Sequence, residues 1–85
     1  MLSFVYTIKD KQGVHARPAG LLVKSVKELD SKVTIQKGEE ATEGTRLMAL
    51  MGMGIKCGEE VTVIAEGGDE EKSLAAMRLF FEENL

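Results

Sequence analysis

The only proline of the chain, Pro18, stands at the head of an apolar stripe, and it restricts the fold more than any other residue. Ala19, Leu22, Val23, Val26 and Leu29 follow at the i, i+3, i+4, i+7 spacing of one helix face. Proline fits a helix only in its first turn, where the missing N–H breaks no bond and the fixed φ suits entry. The helix is therefore expected to begin near Ala16 and to run to about Leu29. That leaves His15, the only histidine, at or beside the cap. There the imidazole lies among unpaired backbone N–H groups at the positive end of the helix dipole. Such a place receives anions, and here it has a nucleophile built in.

Around this helix the hydropathy alternates. Phe4, Tyr6 and Ile8 share one side of a strand expected over residues 3–8, with Ser3, Val5 and Thr7 on the other. Asp30-Ser31 breaks the helix, and Val33 and Ile35 alternate with Thr34 and Gln36 in a second strand. Gly38-Glu39-Glu40 reads as a hairpin turn into a short strand at Ala41-Thr42-Glu43, closed by Gly44. Thr45 is the expected N-cap of a short helix over residues 46–53, which Gly54 or Gly58 would stop. Residues 60–66 form the clearest strand, with Val61, Val63 and Ala65 on one side. Gly67-Gly68-Asp69 then turns the chain, Asp69 caps a final helix, and Leu74, Met77, Phe81 and Leu85 make its buried stripe. The order βαββαβα implies an α+β open-faced sandwich, a four-stranded, mostly antiparallel sheet with three helices on one face.

Composition narrows the function classes. At 85 residues the chain is expected to be one domain, residues 1–85, because so short a chain rarely holds two cores. A formal net charge of −3 gives no basic footprint for nucleic acid. No apolar run reaches the roughly 20 residues of a membrane span, and Met1-Leu2-Ser3-Phe4-Val5-Tyr6 lacks a basic segment leading an apolar one. A single cysteine, Cys57, excludes an internal disulfide and fits a reducing compartment, so a cytoplasmic location is expected. One histidine and one distant cysteine are too few for a closed zinc site, and neither metal nor cofactor is expected.

Two features carry chemistry. A histidine at a helix start has an ordinary explanation, a side-chain cap without reactivity. Against it stands Arg17, two residues on, able to hold a phosphate through paired donors. Gly13, Ala16, Ala19 and Gly20 are small and leave room for an incoming group. A nucleophile, a cation and free N–H groups within three residues suit a transient phosphohistidine. No carboxylate, serine or metal partner accompanies them in the sequence to activate water, so the implied chemistry is carrying a phosphoryl group. The short middle helix is the second feature. Leu47, Met48, Ala49, Leu50, Met51 and Met53 make it apolar on all sides, either as a buried connector or as an adaptable docking surface.

At these residues the chain resembles a known family. Gly13-Val14-His15-Ala16-Arg17-Pro18-Ala19 is similar to the active-site signature of the HPr family, the histidine-containing phosphocarriers of the bacterial phosphotransferase system. Leu47-Met48-Ala49-Leu50-Met51-Gly52-Met53-Gly54 resembles the family's second helix, and Ala65-Glu66-Gly67-Gly68-Asp69-Glu70 its lead into the last. The resemblance spans essentially the whole chain. It implies a monomeric carrier whose His15 accepts a phosphoryl group from enzyme I, derived from phosphoenolpyruvate, and passes it to the IIA domain of a sugar permease. Arg17 and the backbone N–H groups of Ala16 and Arg17 would hold the phosphoryl oxygens. Leu47, Met48 and Met51 would dock partners, with Lys24, Lys27 and Arg46 as a basic rim. One departure stands out. Arg46 occupies the place of the serine that a regulatory kinase modifies in many family members, and Thr45 beside it is out of register. Two other roles fit the same pattern: a regulatory paralogue of the nitrogen-related branch, and an interaction module that is never phosphorylated. Relatives that have lost the carrier role have lost this histidine, which the present chain retains.

Overall fold

The computed structural model describes residues 1–85. Seven elements follow in the expected order: β1 (Leu2–Thr7), α1 (Ala16–Lys27), β2 (Lys32–Lys37), β3 (Glu40–Glu43), α2 (Leu47–Gly52), β4 (Glu60–Glu66) and α3 (Glu70–Asn84). The strands form one sheet in the order β1-β4-β2-β3, and every pairing is antiparallel. The three helices cover one face. The sheet is an open-faced α+β sandwich.

The alternation sorts the two faces as the pattern requires. Phe4 of β1 pairs with Val63 of β4, which pairs in turn with Ile35 of β2, and all three are buried. Val33 and Val61 join the same apolar cluster, and Ala65 is buried beside it. Their neighbours Val5, Thr34, Thr62 and Ile64 point to the uncovered face, where Val5 is exposed. From the helical side, α1 contributes Ala19, Leu22 and Val26, and α3 contributes Met77, Phe80 and Phe81. Burying a side chain such as Leu22 or Phe81 stabilises the fold by about 1.5–3 kcal/mol. Phe81 is the aromatic hub, meeting Phe4 edge-on at 6.1 Å, Tyr6 at 5.5 Å and Phe80 at 5.9 Å between centroids. Burial of Tyr6, with the Glu82 carboxylate nearby, raises its phenol above the ordinary range.

Several boundaries differ from the sequence reading, each for a local reason. Helix α1 ends at Lys27 rather than Leu29: the N–H groups of Glu28 and Leu29 bond to Ser25 and Val26, tightening the last turn. Leu29 still packs on the core from that turn. The N-cap of α2 is Arg46, not Thr45, because the Arg46 N–H closes a turn on Glu43 O and its own carbonyl accepts from Leu50. Gly54, at φ +62°, follows the Met53 C-cap and lets the chain leave α2. In α3, Asp69 caps as expected, its carboxylate accepting the Lys72 N–H at 3.1 Å. Phe80 is buried beside the Phe81 stripe, and Ser73 is buried because its hydroxyl bonds to Ser31, which donates to Gly67 O.

Candidate functional site

The loop before α1 sets His15 in place. Its N–H bonds tie it down from two directions: Gly13 to Asp10 O, and Val14 to Ile55 O at 3.0 Å in the loop after α2. Gly13 is obligatory here. Its φ is +68°, and a Cβ would lie 2.3 Å from Ile55 O. The backbone N–H groups of Lys9 and Asp10 both donate to Leu85 O, which binds the loop to the end of α3.

His15 is the N-cap of α1, with extended backbone and its carbonyl accepting from Ala19. Its imidazole makes no capping hydrogen bond. The ordinary explanation for a histidine at this position therefore does not describe this one. The ring is half-buried and lines a cleft of about 250 Å3 with Asp10, Arg17, Pro18 and Leu21, to which the end of α3 adds Glu83 and Asn84. Arg17 is exposed and forms no ion pair within the protein. The N–H groups of Ala16 and Arg17 have no protein acceptor, as expected for the first turn of a helix. Sequence reasoning brought these elements together, and the structure does so too.

It missed the carboxylate. Asp10 Oδ1 lies 3.8 Å from His15 Nε2 and also accepts the Gln12 N–H at 2.8 Å, which holds the carboxylate near that nitrogen. The expectation that no carboxylate accompanies His15 is thus corrected. Asp10 lies in a polar loop whose curl shows only when the Gly13–Asp10 bond is seen. Glu83 and Asn84 are remote in sequence and reach the cleft only because α3 returns to it.

The expected docking residues divide as follows. In α2, Leu50 is wholly buried while Leu47, Met48 and Met51 are exposed, Met48 to 77%. Helix α2 packs against α1. Lys24 and Lys27 of α1 and Arg46 at the head of α2 are exposed and form no ion pair within the protein. Cys57 is an exposed free thiol. No helix is long and apolar enough to cross a membrane.

Fold and site together define a small α+β protein with a histidine at a helix start whose ring makes no capping bond and faces an open cleft. Residues 2–83 match the family model described as the PTS HPr component phosphorylation site, and the chain belongs to the HPr family. It is 37% identical over 78 residues to a phosphocarrier protein HPr of Mycoplasma capricolum subsp. capricolum, an alignment spanning 92% of this chain and 88% of that one. It is 35% identical over 75 residues to an HPr-like protein Crh of Halalkalibacterium halodurans, covering 88% and 89% of the two chains. The solved structure of a histidine-containing phosphocarrier protein from Mycoplasma superposes with a TM-score of 0.92 at 34% identity, covering 96% of this chain and 93% of that one.

Proposed function

We propose that this protein is a phosphocarrier that accepts a phosphoryl group on His15 from enzyme I, charged by phosphoenolpyruvate, and delivers it to the IIA domain of a sugar permease. The observation that carries the reading is the uncapped imidazole facing a cleft beside the unpaired Arg17 and the free N–H groups of Ala16 and Arg17. A neutral imidazole has one N–H and one lone pair. The Asp10 carboxylate near Nε2 favours the proton there, which leaves Nδ1 as the nucleophile. In the transfer, the Nδ1 lone pair forms a bond to phosphorus as the bond from phosphorus to the donor breaks. No proton needs to move. Asp10 offsets the positive charge that develops on the ring, while Arg17 and the two N–H groups hold the phosphoryl oxygens.

Leu47, Met48 and Met51 form the docking face, with Lys24, Lys27 and Arg46 meeting acidic partner surfaces. Arg46 has no hydroxyl to phosphorylate, which argues against control by a kinase acting at that position. The chain works as one monomeric domain, residues 1–85, in the cytoplasm. The test is intact mass after incubation with phosphoenolpyruvate and purified enzyme I. One acid-labile phosphate on the wild type and none on His15→Ala is the expected result. No added mass, with enzyme I active on a control carrier, overturns the proposal.

A further inference from the structure

Outside the cleft, one ion pair touches both halves of this machinery. Lys37, at the end of β2, reaches the carbonyls that finish α2: its Nζ donates to Met53 O at 3.2 Å and lies 3.5 Å from Gly54 O. These carbonyls lack partners within the helix, and a cation suits that end of the dipole. The same Nζ lies 3.4 Å from the Glu59 carboxylate. Glu59 accepts in turn the N–H of Lys56 at 2.7 Å. That N–H belongs to the peptide whose carbonyl, Ile55 O, receives Val14 N–H, the residue before His15. In a planar trans peptide the N–H and C=O point in opposite directions, so whatever holds one aims the other. Glu59 therefore grips the far side of the peptide on which the His15 loop rests. Through Lys37 it also grips the end of the helix that bears Leu47, Met48 and Met51.

We propose that Glu59, paired with Lys37, is a positioning residue for phosphoryl transfer, holding the docking helix and the His15 loop in one register. The proposal rests on the carrier reading above. It assigns two separable tasks. The Lys37 contacts set α2 and so act on partner binding. The Lys56 contact sets the Ile55–Val14 bond and so acts on the reacting histidine.

Steady-state transfer from enzyme I, with the carrier as varied substrate, separates them in Lys37→Met, Glu59→Gln and Glu59→Ala, each confirmed folded by circular dichroism at the assay temperature. Glutamine keeps an oxygen for the Lys56 N–H but loses the charge opposite Lys37. Lys37→Met and Glu59→Gln are expected to raise KM about fivefold, the weight of a single hydrogen bond, with kcat close to wild type. Glu59→Ala is expected to raise KM likewise and also to lower kcat about fivefold. Wild-type KM in Glu59→Gln and Lys37→Met, or wild-type kcat in Glu59→Ala, overturns the proposal, whether or not the melting temperatures fall. His15→Ala and Met48→Ala are run alongside. Loss of the added phosphate in the first and a raised KM in the second establish the carrier reading on their own, so a flat response of the Lys37 and Glu59 variants then counts against the positioning role alone.

Discussion

Replacing Gly13 with alanine tests how tightly the His15 loop is pinned. The new Cβ would lie 2.3 Å from Ile55 O and 2.8 Å from Lys56 Cα, both backbone atoms that cannot swing aside. The loop must lift, and the 3.0 Å bond from Val14 N–H to Ile55 O breaks. A non-glycine residue in the left-handed region costs about 1–2 kcal/mol. Leaving a buried donor and acceptor unpaired costs about 1–3 kcal/mol. Reduced freedom of the unfolded chain returns about 0.4–1 kcal/mol. The net expectation is a loss of about 1–4.5 kcal/mol, set against the roughly 5–15 kcal/mol that holds a domain together. Gly54 is the internal control: its φ is +62°, but a Cβ added there would meet nothing within 4 Å. Gly54→Ala should therefore lose only about 1 kcal/mol, the conformational part alone. Urea denaturation followed by circular dichroism measures both. If the two variants agree within about 0.5 kcal/mol, the close approach to Ile55 is not what pins the loop.

Other substitutions probe the site and its support. Arg17→Gln should slow phosphoryl transfer roughly ten- to a hundredfold, since a hydrogen bond to a charged group contributes about 1.5–3 kcal/mol, with the denaturation midpoint unchanged. Asp10→Asn should shift the His15 ring away from the tautomer protonated on Nε2, visible in its nitrogen NMR shifts, and slow transfer with it. The Lys56 N–H, helped by Lys37, holds the Glu59 carboxyl below the ordinary glutamate range. Between its folded and unfolded values the unfolded state binds more protons, so this contribution is full above the unfolded value and is lost as pH falls through the folded one. Urea midpoints measured down into the acid range should fall less steeply for Glu59→Gln than for wild type. Leu50→Ala, at a wholly buried position of α2, should lose about 2–5 kcal/mol in the same assay.

Elements whose cause is local were legible in the sequence. Strand β4 appears over the expected residues because alternation is unbroken from Val61 to Ala65, and α1 starts at Ala16, which keeps Pro18 within the first turn where it is tolerated. Asp69 caps α3 because a carboxylate three residues before Lys72 can reach its N–H. What stayed hidden depends on contacts distant along the chain. No local pattern specifies that β4 lies between β1 and β2. The choice of Arg46 over Thr45 as cap follows from a turn closed on Glu43 O, and propensity favours the threonine. At the site, His15 and Arg17 were readable from one heptapeptide. Asp10 was not, because its approach to the ring depends on how the loop curls between Ile55 and Leu85.

The strand order has a consequence for how the molecule is made. Strand β4, sixth of the seven elements to leave the ribosome, lies at the centre of the sheet and supplies the partner that β1 requires. Until it emerges, β1 has no neighbour and β2 pairs only with the short β3. The loop that seats His15 waits as well, since Ile55 lies in the segment just before β4. A nascent chain halted before residue 60 therefore has no stable half-structure to fall back on. Folding should be slow for so small a protein and all-or-none, because its decisive pairings close long loops. Truncated chains would expose unpaired strands to quality-control proteases instead of circulating as partly active carriers.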